Sequence, residues 1–257
     1  MLQIQQYVRA KSLDEAYELL NKHRNNQILG GMMWLKMQNR NIPIAIDLCE
    51  LPLQGIEETK DHFVIQAMTS LRDIETHEGL QRYFKSMFTD ALSDIVGVQF
   101  RNMATLGGSL YARFGFSDVL TLLLALDCEV YLHHHGKMSI KEYAASTHYE
   151  RDILTHITIK KETLQGVFLC MRNSATDLSI LNMAAVKTNT GYRFSIGARP
   201  KRAVLYEFAH EDKEKMIEEI QNTIVLGSNM RGSQEYRERL LSAFIEKAFY
   251  QLGGPSL

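Results

Sequence analysis

The spacing of apolar and polar residues predicts that strands and helices alternate along the first part of the chain. Residues Gln3 to Arg9 alternate weakly and predict a strand. Ser12 and Glu15 form an S-x-x-E capping box at the start of a short amphipathic helix. Further strands are predicted at Pro43 to Asp47 and at His62 to Ala67. The pattern therefore indicates a mixed fold of helices and strands.

The middle of the chain is predicted to be helical before it returns to strands. Apolar periodicity predicts helices at Leu71 to His77 and at Gly79 to Leu92, and another that begins near Ser117-Asp118. Three strands are then predicted, at Glu129 to Leu132, Lys137 to Ile140 and Asp152 to Ile159.

The last part of the chain has a different pattern, with longer strands followed by helices. The predicted strands are Val167 to Arg172, Leu181 to Val186 and Tyr192 to Ile196, and the predicted helices are Asp212 to Asn222 and Glu235 to Leu252. The last helix has a sustained apolar face that must pack on a sheet or on a partner. Strands followed by helices are typical of an α+β domain.

Two Gly-Gly pairs mark the candidate functional site. Gly30-Gly31 follows a short apolar strand and is predicted to lead into a helical stretch, whereas Gly107-Gly108 is predicted to form a tight turn from Thr105 to Ser109. Glycines without a Cβ let backbone amides approach an anionic ligand closely, and they adopt positive φ where needed. Neither pair forms the G-x-G-x-x-G fingerprint, so a nicotinamide Rossmann site has no support.

The second glycine pair lies in a longer motif that identifies a family. The string R-N-x-A-T-L-G-G-S-L, then S-D, then L-L-L-A-L-D-C-E-V, spans Phe100 to Val130. It resembles the FAD-binding subunit of the molybdenum hydroxylases, the xanthine dehydrogenase and carbon monoxide dehydrogenase family. The resemblance implies that FAD contacts the matching positions Ala104, Thr105, Gly107, Gly108, Ser109, Tyr111, Ala112 and Asp118.

The first glycine pair matches the family's other FAD loop with one departure. Family members commonly have A-G-G-T-D-L, whereas this chain has Leu29, Gly30, Gly31, Met32 and Met33 before Trp34. Two methionines remove the side-chain hydrogen bonds of threonine and aspartate but leave the backbone donors in place. The resemblance also implies a cofactor contact at Leu154, for which a place in the core is an equally good interpretation.

The resemblance also implies how the chain is divided into domains. It implies a two-lobed FAD-binding domain of the molybdopterin dehydrogenase flavoprotein type over residues 1–160, followed by a smaller α+β C-terminal domain over 161–257. A composition shift near Gly55 suggests the boundary between lobes at about 1–55 and 56–160. The fold class is α+β.

The resemblance implies an electron-transfer subunit that works with partners. Electrons would pass from a 2Fe-2S subunit through FAD to NAD or another acceptor, while a molybdopterin subunit oxidises the substrate. No catalytic side chain is required, since the flavin performs the redox step. Leu169 stands where some members place a lysine near the flavin ring, so transfer to a nicotinamide is in question. A free-standing flavoenzyme of this fold and an assembly subunit that has lost FAD are the alternatives.

Composition excludes several other classes of function. There are 29 Lys and Arg against 30 Asp and Glu, so no basic excess indicates nucleic acid or an anionic membrane. The first residues lack the pattern of a secretory signal, and no apolar run is long enough to cross a bilayer. These features predict a soluble, cytoplasmic protein.

The cysteines and histidines predict no metal site. Cys49, Cys128 and Cys170 are far apart and form no C-x-x-C, so we expect three buried reduced thiols. His133-His134-His135 lie at a predicted hairpin turn, where at most two side chains can converge. No carboxylate is placed near them in the sequence to complete a ligand shell, and we interpret the turn as solvated.

Overall fold

The computed structural model describes residues 1–146, 151–162, 164–209 and 212–253. The chain forms two compact units that are each discontinuous in sequence. Unit 1 comprises Met1–Ile74, Val98–Ala112 and Cys128–Ile159, and unit 2 comprises Glu75–Gly97, Arg113–Asp127 and Lys160–Leu257. The domain boundaries predicted at residues 55 and 160 stay a prediction.

The strands of unit 1 form two sheets. The first contains β1 (Gln3–Arg9), β2 (Gln27–Leu29) and β3 (Asn41–Asp47) in the order β1-β3-β2, and both pairings are parallel. The second contains β4 (Ile56–Glu58), β5 (His62–Gln66), β6 (Cys128–Leu132), β7 (Gly136–Ser139) and β8 (Leu154–Lys160), in the order β4-β5-β8-β6-β7. The strands predicted in these regions are confirmed.

The first helix of unit 1, α1 (Leu13–Lys22), packs its apolar face on the parallel sheet. Ala16 and Leu20 are buried together with Ile46 of β3. The Ser12 side chain accepts a hydrogen bond from the Glu15 amide, as the capping box predicts. The Glu15 carboxylate accepts a hydrogen bond from the Lys11 amide, at 2.7 Å, instead of from the Ser12 amide. The second bond of the capping box therefore forms one residue earlier than predicted.

Unit 2 is built on one antiparallel sheet, which confirms the predicted α+β class. Its strands are β9 (Leu164–Met171), β10 (Leu181–Thr188), β11 (Gly191–Gly197) and β12 (Val204–Phe208), in the order β12-β11-β10-β9. The helices α9 (Lys213–Thr223) and α10 (Gln234–Gln251) cover it, burying Met216, Phe244 and Phe249 against Phe194. β12 was not predicted.

The remaining helices show where the periodicity was misleading. They are α2 (Leu71–Thr76), α3 (Glu78–Phe84), α4 (Met87–Leu92), α5 (Val98–Met103), α6 (Leu106–Tyr111), α7 (Asp118–Leu124) and α8 (Ile140–Ala145). The single helix predicted from Gly79 to Leu92 is wrong, because Lys85 has φ 54° and separates α3 from α4. Similarly, the helical stretch predicted after Gly31 is only a 3₁₀ turn at Leu35–Met37. Within the residues described above, no helix has the length and apolar character needed to cross a membrane.

Candidate functional site

The loop after β2 leaves the sheet in an unusual backbone conformation. Gly31 has φ 76° and Met32 has φ 61°, so two consecutive residues are left-handed. A Cβ on Gly31 would lie 1.8 Å from the carbonyl oxygen of Met103, which no side chain could tolerate. Within the described part of the chain, the amides of Gly30 to Met33 donate to no protein acceptor. Four consecutive N–H groups are therefore available to a ligand.

The second glycine pair differs from its prediction. It does not form a tight turn but the first turn of α6, where Thr105 is the N-cap and its hydroxyl accepts a hydrogen bond from the Gly108 amide at 3.2 Å. Neither Gly107 nor Gly108 has a positive φ. The amides of Leu106, Gly107 and Ser109 donate to the carbonyls of Thr69, Ala67 and Thr105, at 2.9, 2.7 and 3.0 Å. Hence the protein itself already satisfies the amides of this turn.

The two glycine pairs meet within unit 1. A Cβ on Gly30 would lie 3.2 Å from the Cα of Gly108 and 3.2 Å from the Thr105 hydroxyl. In turn, a Cβ on Gly108 would lie 2.7 Å from the carbonyl oxygen of Gly30. The absence of a side chain on both residues allows the loop and the start of α6 to touch through their backbones. The structure thus brings together segments that are more than seventy residues apart.

The donors at this junction suit the diphosphate of a dinucleotide. Consecutive backbone N–H groups in a turn with left-handed residues bind anions well. The hydroxyl of the half-buried Ser109 lies one residue beyond the contact and adds a further polar group. Because Gly108 is exposed while Thr105 is buried, the backbone at the junction can be reached by a ligand. The residues present therefore fit a diphosphate group.

Comparison with known proteins identifies the family. Residues 2–162 match the model of the FAD binding domain in molybdopterin dehydrogenase. The chain belongs to this family. FAD is accordingly its cofactor, as the motif implied, and the glycine junction lies inside the matched region of this FAD-binding chain.

Relatives and solved structures agree with this assignment over nearly the whole chain. The Escherichia coli K12 protein YgfM is 26% identical over 249 residues, which cover 94% of each chain. The glyceraldehyde dehydrogenase medium chain of Sulfolobus acidocaldarius is 25% identical over 275 residues, 96% of this chain and 97% of the relative. A chain of CO dehydrogenase from Oligotropha carboxidovorans has the same fold, with a TM-score of 0.85 at 19% identity over 97% of both chains.

Other predicted FAD contacts of this family member lie around the junction in unit 1. Leu29 is buried at the end of β2, and the Ala104 carbonyl accepts a hydrogen bond from the Leu71 amide at 2.8 Å. Tyr111 ends α6, and Ala112 follows it. Both are half-buried. Their contacts with FAD stay predictions.

The strand that begins with Leu154 is linked to the junction through backbone hydrogen bonds. Leu154 itself is buried at the start of β8, which agrees with the interpretation as a core residue. The next residue, Thr155, accepts a hydrogen bond from the Ala67 amide at 2.9 Å, and the Ala67 carbonyl accepts the one from Gly107. β8 therefore supports α6. Whether Leu154 also touches FAD stays a prediction.

Asp118 lies in unit 2, where its carboxylate is held by three side chains that sequence reasoning missed. Its Oδ1 accepts from Ser179 Oγ and Asn182 Nδ2, each at 2.6 Å, and its Oδ2 accepts from Arg172 at 2.8 Å. Asp118 is 6% exposed. Asn182 lies in β10, and Arg172 and Ser179 lie in the segment between β9 and β10, so no local sequence pattern reveals these partners. The bonds give Asp118 a structural role, and its contact with FAD stays a prediction.

The cysteines are only partly as expected. Cys128 is buried and Cys170 is half-buried, but the prediction for Cys49 is wrong because that thiol is exposed. Burial, followed by the nearby Asp118 carboxylate, raises the pKa of the Cys170 thiol to about 12. Cys170 therefore stays protonated and unreactive at neutral pH.

The histidine turn joins β6 to β7 in an antiparallel hairpin with His134 and His135 exposed, as predicted, but it also contacts two carboxylates. Asp152 is buried, and it accepts hydrogen bonds from the amides of His134 and His135 at 3.0 and 2.9 Å. Moreover, the Asp14 carboxylate lies 2.8 Å from His133 Nε2. Two carboxylates that are remote in sequence therefore face the turn.

Proposed function

We propose that this chain is the FAD-binding electron-transfer subunit of a molybdenum hydroxylase such as xanthine dehydrogenase. Its partners would be a molybdopterin-binding catalytic subunit and a 2Fe-2S subunit. The family match over residues 2–162 supports this proposal, and so does the relative from Sulfolobus acidocaldarius, a dehydrogenase medium chain. The observation that carries it is the glycine junction, where the loop with four consecutive amides that lack a protein acceptor touches the backbone of Gly108.

The residues of this chain would bind and orient the cofactor. The amides of Gly30 to Met33 would hold the diphosphate, while Thr105 fixes the first turn of α6 against that loop. Backbone donors carry no charge, so they bind the anion without placing a titratable group beside the flavin. Bound FAD supplies the redox centre that takes electrons from the 2Fe-2S subunit and passes them to NAD or another acceptor.

One residue of unit 2 bears on the identity of the electron acceptor. Leu169, which stands where some family members have a lysine, is buried in the core of unit 2. An apolar side chain in a packed core cannot supply a cation to an acceptor. We therefore keep NAD and a non-nicotinamide acceptor as two alternatives. Steady-state reduction of each by the purified complex would decide between them.

Purification of the full chain, alone and with its partners, tests the proposal. The isolated chain should retain FAD through gel filtration, shown by flavin absorbance bands, and should not turn over purines, other N-heterocycles or aldehydes. Co-expression with molybdopterin and 2Fe-2S subunits should give a complex that oxidises one of these substrates. Full turnover by the isolated chain would instead show a free-standing flavoenzyme. A colourless chain that does not take up added FAD would indicate an assembly subunit.

A further inference from the structure

The turn between β6 and β7 brings two imidazoles to the first turn of α1. His133 follows β6 directly, and its Nε2 lies 2.8 Å from Oδ1 of Asp14. The rings of His133 and His134 are perpendicular, at 89°, with their centroids 4.8 Å apart. One ligand atom from each of the three residues lies within 4.8 Å of the others. Two nitrogens and one carboxylate oxygen therefore lie close together at one place on the surface of unit 1.

The surrounding structure holds both histidines in place. The His134 ring stacks on Tyr17 of α1, with the centroids 3.7 Å apart and an angle of 25° between the planes. The buried Asp152 accepts hydrogen bonds from the His134 and His135 amides, and the His133 amide donates to the Ile153 carbonyl at 2.9 Å. The turn is thus fixed by its backbone. The His133 and His134 side chains are left to face α1.

Strand geometry explains why this convergence was not predicted. Successive side chains on a strand point to opposite faces, so adjacent histidines on a regular strand would diverge. Here the histidines lie in the turn after Leu132, where the register of β6 against β8 already shifts. The Asp152 bonds then turn the backbone so that His133 and His134 reach the same helix. The third ligand, Asp14, is far away in sequence and comes from the start of α1.

We propose that Asp14, His133 and His134 bind one divalent transition-metal ion of the zinc class, with water completing its coordination. Two imidazoles and a carboxylate are a donor set that zinc and its neighbours prefer, whereas magnesium and calcium prefer oxygen alone. Metal–nitrogen and metal–oxygen bonds of about 2 Å place tetrahedral ligand atoms roughly 3.4 Å apart. His133 Nε2 and Asp14 Oδ1, now 2.8 Å apart, would therefore separate slightly, while the wider gaps among the three atoms, up to 4.8 Å, would close. Asp14 can make its part of that adjustment, because its side chain is 81% exposed.

The bound ion would join α1 to the β6–β7 turn inside unit 1. At present His133 and Asp14 are joined only by their direct contact, at 2.8 Å from Nε2 to Oδ1. Metal binding to the folded chain would replace this contact with a stronger link. An ion that binds the folded state alone raises the melting temperature, and the rise grows with the logarithm of the ion concentration divided by Kd.

Titration of the tag-free full chain with Zn²⁺, after chelator treatment and dialysis, tests this site. Calorimetry should show one Zn²⁺ per chain, and Zn²⁺ should raise the melting temperature while Mg²⁺ at the same concentration does not. His133→Asn and His134→Asn should each weaken binding by about tenfold or more. No measurable Zn²⁺ binding by the parent chain would overturn the proposal, and so would an equal rise in melting temperature with Mg²⁺.

The third histidine of the run provides the matched control. The His135 ring contacts Asp152 at 2.9 Å and is not one of the three converging groups, so His135→Asn should keep the Zn²⁺ affinity. Loss of affinity in His135→Asn equal to that in His133→Asn would contradict the assignment. If a histidine variant does not fold in chelator, Asp14→Asn decides the matter. That exposed side chain can be changed safely, and unchanged Zn²⁺ binding by Asp14→Asn would refute the site.

Discussion

The two Gly-Gly pairs of the candidate site have the same residues, but their backbone N–H groups are used in opposite ways. After β2, the amides from Gly30 to Met33 meet no acceptor within the described part of the chain, and Gly31 is left-handed. At α6, each amide from Leu106 to Ser109 is bonded to a protein oxygen, and the glycines have helical φ. The loop of the first pair keeps N–H groups that can donate to a ligand, whereas the second pair allows the backbone of α6 to pack closely on that loop.

This difference shows that a glycine pair can be required for two unrelated physical reasons. At Gly31 the requirement is conformational, since a left-handed residue that lies against the Met103 carbonyl admits no side chain. At Gly108 the requirement is steric, since the residue is helical but its Cα faces the Gly30 backbone. The same Gly-Gly dipeptide therefore indicates an anion site at Gly30-Gly31 and a close backbone contact at Gly107-Gly108.

The largest expected effect is that of Gly31→Ala. The left-handed conformation costs a residue with a Cβ about 1 to 2 kcal/mol. The clash with the Met103 carbonyl adds roughly 1 to 3 kcal/mol and displaces the loop. We expect a lower free energy of unfolding in urea and loss of FAD from the chain on gel filtration. Denaturation curves and flavin absorbance measure the two effects separately.

Gly136→Ala is the matched control for that substitution. Gly136 has φ 70°, close to the 76° of Gly31, but a Cβ there would meet nothing within 4 Å. In this variant the free energy of unfolding should fall only by the conformational cost of the left-handed residue, about 1 kcal/mol, and the chain should retain FAD. Equal losses of stability in the two variants would contradict the steric part of the argument.

Gly108→Ala should have the next largest effect, and its sign is informative. In an ordinary helix this change stabilises the protein by about 1 kcal/mol, because alanine is the better helix former. Here the new Cβ would lie 2.7 Å from the Gly30 carbonyl, so we expect a net destabilisation of about 1 to 3 kcal/mol. Urea denaturation and FAD titration should both show it, whereas Ser109→Ala in the same turn should leave unfolding nearly unchanged. A more stable Gly108→Ala would disprove the close contact.

Much of the fold follows from the sequence because its signals are local. Alternation predicts β1, and the Ser12 cap marks the start of α1. The apolar face of α10 packs on the sheet of unit 2 as its periodicity requires. Where the sequence misleads, the cause is one residue in an uncommon conformation, as with Lys85 between α3 and α4.

The candidate site was predictable in its residues but not in its bonds. The motif marked Thr105 and Gly108, yet the acceptors for the Leu106 and Gly107 amides come from Thr69 and Ala67, outside the motif. Likewise, the donors to Asp118 come from β10 and from the segment between β9 and β10. Partners that are distant in sequence leave no periodic trace, so hydrogen bonding of this kind becomes visible only once the chain is folded.

Thr105→Ala should have a moderate effect on stability and on FAD binding. It tests whether Thr105 acts by holding α6 in place or by contacting FAD directly. The substitution removes the cap bond to the Gly108 amide and should lower the free energy of unfolding by about 1 kcal/mol. FAD should bind more weakly, since α6 then packs less firmly on the Gly30 loop. Thr105→Ser keeps the hydroxyl and should restore both properties in urea denaturation and FAD titration. Failure of serine to restore FAD binding would point to the threonine methyl group instead of the cap.

The smallest expected effect is that of Met32→Asn. This substitution tests whether a side-chain donor in the loop from Gly30 to Met33 would strengthen FAD binding. Met32 is left-handed at φ 61°, a conformation that asparagine tolerates better than methionine does. Met32→Asn also adds an amide donor beside the four open N–H groups. One further hydrogen bond contributes about 0.5 to 1.5 kcal/mol, so FAD affinity should rise roughly threefold in a fluorescence titration.

Met32→Gly separates the two causes of that gain. Glycine relieves the backbone of Met32 but brings no donor, so it should stabilise the empty loop and leave FAD affinity below that of the asparagine variant. If glycine raised the affinity as much as asparagine does, backbone relief alone would explain the gain. The open amides of Gly30 to Met33 would then already supply all the hydrogen bonds that the diphosphate can accept from this loop.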